Sequence, residues 1–329
     1  MTAGQLLPPT FRANRKIRSR STLSVHMSRL QADLLLLLVA VIWGSAFVAQ
    51  NLGMASVGPY TFTGARFLMG ALIVAPLAWR EIQVQQSVSD HPPLLAAQSL
   101  LLILGLGLLL FLGAAFQQIG IVTTTITNAG FLTALYVPLV PLTNWMITRR
   151  LPHWSVWPAI VGCLTGTWLL TGAQSLTINT GDLWVIASAL FWAGHVLLVG
   201  QSGRRGAGPF TIACGQFLVC GVLGTTVALA IEPVSWEGLQ AAAGAIAYAG
   251  FLSVGVGFTA QVVGQRYTPA ADTAIILSTE TAFAAIFGSL WLGETLNLHG
   301  MFGCALILSG ILLVQLLPLA DAMRRVRRG

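Results

Sequence analysis

Residues 98 to 146 read QSLLLILGLGLLLFLGAAFQQIGIVTTTITNAGFLTALYVPLVPLTNWM, and none of them is Asp, Glu, Lys, Arg or His. A helix crosses a hydrocarbon layer about 30 Å thick in about 20 residues, so this stretch is too long for one crossing. It must turn back within itself, and Gly120 with the run Thr123, Thr124, Thr125 marks the place.

The rest of the 329 residues agree: 55% are hydrophobic, 8% are charged, and mean hydropathy is +0.78. A soluble chain carries about 25% charge. Ten apolar spans can be marked, at 33–52, 59–79, 97–118, 125–147, 154–173, 182–200, 209–231, 239–262, 270–292 and 298–318. The helices of a soluble bundle would show polar faces, and Leu34 to Val41 and Ile307 to Leu317 have none. The loops average about 8 residues, which excludes a soluble enzyme or regulatory domain. The expected fold is an all-α membrane protein of ten transmembrane helices.

The net charge of +7 is unevenly placed. Basic residues crowd the two tails (Arg12, Arg15, Lys16, Arg18, Arg20 and Arg29; Arg324, Arg325, Arg327 and Arg328) and the even-numbered loops (Arg80, Arg149, Arg150, Arg204, Arg205 and Arg266). Sixteen of the seventeen Lys and Arg residues therefore fall on one side, which identifies it as the cytoplasm. Both termini are expected there, with the tails 1–32 and 319–329 near anionic headgroups. No basic patch sits on a folded surface, so nucleic acid is not an expected partner. A cleaved signal peptide is rejected because the first span completes a repeat. Met27 offers an alternative start, which would make residues 1–26 a disordered extension or no part of the translated chain.

The second half repeats the first. PYTFTGARF from Pro59 reads against PFTIACGQF from Pro209 at an offset of 150, and Asp33 and Trp43 pair with Asp182 and Trp192 at 149. Gln117, Gly120, Thr124, Leu164, Gly166 and Leu169 match Gln261, Gly264, Thr268, Leu308, Gly310 and Leu313 at 144 without a gap. Two five-span repeats follow, 33–173 and 182–318. Five is odd, so the halves are expected upside down relative to each other, a construction used for alternating access with substrate near the midplane.

Trp43, Gly44, Ser45 and Phe47; Pro59, Phe62 and Arg66; Asn128, Ala129, Phe131 and Pro138; and Leu292, Gly293, Glu294, Gly303 and Gly310 together resemble the EamA-type repeats of the drug/metabolite transporter superfamily, over about residues 30 to 318. The resemblance implies a ten-helix inner-membrane carrier of amino acids or other small metabolites. Arg150 stands where a first repeat often has Glu, so no transport role is given to Glu294 by symmetry.

A charge at the bilayer centre costs about 2.5 to 3.5 kcal/mol, so ionisable residues within spans point to function. Arg66 and Glu280 are foremost, and in antiparallel spans their heights differ by about 6 Å. Arg66 is expected to hold an anionic group such as a carboxylate, and Glu280 a proton or an amine; the alternative is a permanent ion pair between helices. Their repeat partners Gln216 and Tyr136 keep polarity without charge, so a shared substrate cavity would be polar and asymmetric. Trp43 and Trp192 are candidates to stack on substrate or to pack at the interface belt. His195 is a candidate proton relay or a hydrogen-bonded packing residue. Gln117, Gln118, Gln261 and Asn144 line a path or join helices. Asp272 reads as a helix-start residue, and Asp33 and Asp182 open their spans within reach of water.

Glycine pairs such as Gly105, Gly107 and Gly255, Gly257 allow close helix approach or bending, and Pro138 with Pro141 should loosen the fourth span. The isolated cysteines Cys163, Cys214, Cys220 and Cys304 suggest neither disulfides nor a metal site, and no phosphate cradle occurs. No cofactor or metal is expected. The reading is a secondary-active exporter of small metabolites rather than an enzyme, with membrane lipids around it and a homodimer left open. A lipid-headgroup flippase, a membrane-embedded enzyme and a passive channel are the alternatives.

Overall fold

A computed structural model describes residues 27–88, 97–124, 126–170, 179–202, 207–292 and 298–326. The tail 1–26, Arg204, Arg205, Gly293, Glu294, Arg327, Arg328 and Thr125 lie outside the described residues, as does the side chain of Asn128. We number ten helical segments. They are α1 (Arg29–Met54), α2 (Pro59–Val88), α3 (Ala97–Ile121), α4 in two pieces (Ile126–Thr133 and Tyr136–Thr148), α5 (Val156–Leu170), α6 (Thr180–Ser202), α7 (Pro209–Ile231), α8 (Ala243–Tyr248, a π-helical run Ala249–Phe258, then Thr259–Gly264), α9 in two pieces (Ala270–Leu277 and Glu280–Leu292) and α10 (Leu298–Val326). Among the described residues nine are long and apolar enough to cross a membrane, and α5 is a shorter apolar helix.

Polarity is distributed for a lipid solvent. Leu72, Leu101, Leu229, Leu290 and Leu312 are exposed, while Gln117, Gln118, His195, Gln216 and Gln261 are buried. Large apolar side chains face outward all round the bundle, and polar ones face one another within it.

Neighbours come in matched sets. α1 packs on α8 and α9, and α6 packs on α3 and α4; α2 also touches α8 as α7 touches α3; α2 pairs with α7, and α5 with α10. Shifting every helix number by five returns the same set. The α2–α7 pair shows the relative direction of repeat equivalents. Thr61 meets Glu232, Gly64 meets Gly224, Leu68 meets Gly221, and Ala71 meets Cys214, so the two helices run antiparallel. They approach so closely that a Cβ at Gly224 would stand 2.9 Å from the Gly64 nitrogen.

Both ends of this pair are capped reciprocally. The Glu232 carboxylate, at the end of α7, accepts from the Tyr60 and Thr61 amides at 2.8 Å each and from the Thr61 hydroxyl at 2.6 Å. The Glu81 carboxylate, late in α2, accepts from the Thr211 amide and hydroxyl, both at 2.8 Å. Glu232 caps the C-terminus of its own helix, where a negative charge is disfavoured, and Glu81 lies about two turns before the end of its own; each stands against the N-terminus of the other helix, where it satisfies orphan amides and the helix dipole. The repeated Pro-x-Thr supplies the hydroxyl and amide at both ends.

Asp33 and Asp182 are buried rather than left to water. Thr268, ahead of α9, donates to Asp33 in α1 at 2.7 Å, and Thr124, ahead of α4, donates to Asp182 in α6. Asp33 also faces the Arg29 guanidinium at 3.6 Å, and Arg29 joins Asp272 in the first turn of α9. Asp182 instead accepts from the Asn179 amide at 2.9 Å.

Candidate functional site

The site begins with two interruptions of the backbone. In α4 the Ala134 amide donates to Gly130, but Leu135 and Val137 reach back only three residues, to Leu132 and Ala134. In α9 Ser278 donates to Ala274, while Thr279 and Thr281 reach back three, to Ile276 and Ser278. The two patterns coincide residue for residue at the repeat offset of 144. Their causes differ. Pro138 has no N–H to give the Ala134 carbonyl. In α9 no proline is present; the hydroxyls of Ser278, Thr279 and Thr281 bond the carbonyls of Ile275, Ile276 and Ser278 at 2.8, 2.6 and 2.8 Å. Each interruption starts a second helix, and the residues at those starts are Tyr136 and Glu280. The positive end of the helix dipole favours the carboxylate there.

Both starts face one cavity of about 550 Å³ of free space, mouth included. Its walls are built largely from repeat equivalents: Trp43 with Trp192, Phe47 with Val196, Gln117 with Gln261, Thr133 with Leu277, and Tyr136 with Glu280. Arg66 completes the polar lining with Gln50. Gln117 donates to Thr133 at 2.8 Å, and the Tyr136 hydroxyl to the Ala274 carbonyl at 3.3 Å.

No ion pair joins Arg66 to Glu280 among the described residues. The Arg66 guanidinium lies over Phe67 and Phe62, 5.1 and 5.4 Å from their centroids, and its Nε has no hydrogen-bond partner. Two such cation–π contacts, about 2 kcal/mol or more each where the charge is desolvated, offset the roughly 3 kcal/mol that burying it costs, but they leave the Nε donor unmet, so an incoming anion would gain a charged hydrogen bond. The Glu280 carboxylate likewise has no hydrogen-bond or ion-pair partner among the described residues. The acceptor oxygens of Gln50 and Gln261 are also unpaired.

Of the residues singled out by sequence, Arg66, Glu280, Tyr136, Trp43 and Trp192 therefore line one cavity, and Gln216 and His195 do not. His195 Nε2 and Gln216 Oε1 are 2.8 Å apart, both residues fully buried, with the imidazole edge-on to Trp192 at 6.1 Å between centroids. Their placement braces the wall. Phe47, Gln50, Thr133, Ser253 and Phe258 were not visible as site residues. The offsets of 149 and 144 pair Phe47 with Val196 and Thr133 with Leu277, but no sequence signal marks either member of those pairs, nor the other three.

A multi-pass membrane bundle with a polar cavity between two matched halves is the architecture of a transporter. The model of the EamA-like transporter family matches residues 30–172 and again 179–316, and the chain belongs to that family. It is 29% identical over 292 residues to an uncharacterized transporter of Archaeoglobus fulgidus, spanning 88% of this chain and 87% of the relative. It is 24% identical to the uncharacterized transporter YwfM of Bacillus subtilis, over 87% and 94% of the two chains. A solved crystal structure superposes with a TM-score of 0.72 over 88% of this chain and 98% of the other; at 18% identity that likeness is one of fold.

Proposed function

We propose that the protein is a secondary-active carrier that exports amino acids or other small metabolites across the bacterial inner membrane by alternating access. The single observation that carries this reading is an unpaired buried cation and an unpaired buried carboxylate on one cavity, Arg66 and Glu280. Arg66 takes the anionic group of the substrate; Glu280 takes its amine, or a proton; Tyr136, Trp43 and Trp192 form the wall; His195 and Gln216 hold that wall from behind.

Ten crossings and inversion belong to the same proposal. Repeat equivalents that run antiparallel, as α2 and α7 do, support a second half turned over relative to the first. At 15 residues α5 is about 22 Å long, and its pairing with α10 supports counting it as a crossing. The halves are 33–173 and 182–318, flanked by basic tails at 1–32 and 319–329 in the cytoplasm, where Arg80, Arg149, Arg150 and Arg266 also fall.

A flippase is favoured by one observation. A groove of about 1340 Å³ of free space, mouth included, lies between α1, the start of α8 and the end of α9, lined by Ile42, Leu52, Ala245, Phe287 and Trp291.

The test is counterflow in proteoliposomes at two pH values, with amino acids first and then a metabolite library. Arg66→Gln and Glu280→Gln should each lower saturable counterflow about a hundredfold at normal expression, the loss of a charged hydrogen bond worth about 2.7 kcal/mol. Unimpaired transport in both variants sinks the assignment. Translocation of a headgroup-labelled lipid with no metabolite counterflow favours the flippase.

A further inference from the structure

The π-helical run of α8 carries none of the charged residues of the cavity. Ala249–Phe258 winds with i→i+5 geometry for ten residues, where most π-helices are single-turn bulges found at functional sites. Its middle and its end both reach the cavity. The Ser253 carbonyl accepts the Trp43 indole N–H at 3.1 Å, which fixes that ring. Gly257 leaves space for it, since a Cβ there would stand 2.7 Å from Trp43 Nε1.

The run ends on Phe258, whose ring meets both repeat-matched tryptophans. It is tilted on Trp43 at 4.5 Å and stacked on Trp192 at 5.9 Å and 15°. Behind it stand Phe67, which carries the Arg66 guanidinium, and the braced His195, at 5.7 and 6.0 Å. The repeat equivalent of Phe258 is Ala114, in α3, which is regular through this stretch. A full aromatic ring therefore lines the cavity in the second half, while its repeat equivalent in the first half is a methyl group packed in the core outside the lining.

We propose that Phe258, set in place by the π-helical run and the Trp43–Ser253 bond, fixes the upper size limit of the molecule the cavity accepts. The inference rests on the reading of this cavity as the transport site. Shortening the ring removes the wall between the two tryptophans, so larger apolar bodies gain entry. A hydrophobic pocket discriminates about tenfold or more per misfit group, which sets the effect to look for.

The experiment uses the full chain in proteoliposomes and in detergent with glycine, alanine, leucine, phenylalanine and tryptophan as graded probes. Counterflow is measured in the first preparation, and binding by quenching of intrinsic fluorescence in the second. In Phe258→Ala the size cut-off should move upward, with at least about a tenfold relative gain for the smallest probe the wild type rejects. Phe258→Leu should fall between, and Gly257→Ala, by displacing the Trp43 indole, should blur the cut-off at normal expression.

A Phe258→Ala variant that weakens every probe by the same factor, with rank order unchanged, is a packing defect and overturns the proposal. Size-dependent binding that moves with Phe258 in a wild type that carries none of the probes supports it and defeats only the transport reading. A wild type that neither carries nor binds any of them defeats both.

Discussion

The interruptions of α4 and α9 are one piece of backbone geometry reached by two chemistries. In α4 a proline withholds a donor; in α9 three hydroxyls occupy acceptors. The repeats have diverged this far and still share one hydrogen-bond pattern at one offset, so the break does not depend on either chemistry alone. What differs is the residue at each restart. The first half presents the neutral phenol of Tyr136 and the second the carboxylate of Glu280, so a matched scaffold carries an asymmetric site.

The α9 interruption is the more vulnerable of the two, because it rests on three side chains and carries the charged residue. Replacing Ser278, Thr279 and Thr281 together by Ala, Val and Val leaves buried carbonyls short of partners. It also frees the segment to close as a regular α-helix, which turns Glu280 relative to the cavity. Counterflow at matched protein amounts should fall at least about tenfold, and thermal stability in detergent should drop by about 1 to 3 kcal/mol. Full transport with normal stability would mean that the hydroxyls only decorate a break made by other contacts.

Pro138→Ala probes the α4 side and should act with the opposite sign on stability. It restores an N–H that the Ala134 carbonyl can accept in an ordinary i→i−4 bond, removing part of the roughly 3 kcal/mol that proline costs inside a helix. The melting temperature should rise while counterflow falls a few-fold, because a straightened α4 moves Tyr136, which is uncharged. A fall in both quantities would instead assign Pro138 to packing.

The two breaks were unequally legible. Pro138 announces itself, whereas Ser278, Thr279 and Thr281 read like ordinary small polar residues, because back-bonding leaves no compositional trace. Arg66 and Glu280 stood out since charges within spans are so few. Gln216, the repeat partner of Arg66, was expected in the cavity, but its amide turns to His195, a contact between α6 and α7 that no periodicity encodes. Phe258 was invisible for a related reason: the π-helical run that ends on it has the composition of any apolar span. The caps by Glu81 and Glu232 join residues 130 and 171 apart or more, beyond any local motif, although the repeated Pro-x-Thr was half of the signal.

The entrances to α4 and α9 give the finest contrast. Thr124 and Thr268 are repeat equivalents, and each donates a hydroxyl to a buried aspartate of the helix alongside, Asp182 or Asp33. The surroundings are unequal. Asp33 keeps the Arg29 guanidinium when Thr268 is removed, whereas Asp182 keeps only amide N–H and no cation among its described partners. A hydrogen bond to a charged group contributes about 1.5 to 3 kcal/mol, and a second partner of opposite charge compensates part of its loss. Thr124→Val should therefore lower thermal stability in detergent by about 2 kcal/mol, and Thr268→Val by about half as much. Raising the salt concentration should narrow the gap, because Arg29 is partly exposed and its hold on Asp33 is screened. Equal losses at low salt would show that Arg29 lends Asp33 nothing, and that the two entrances are as symmetric in energy as they are in sequence.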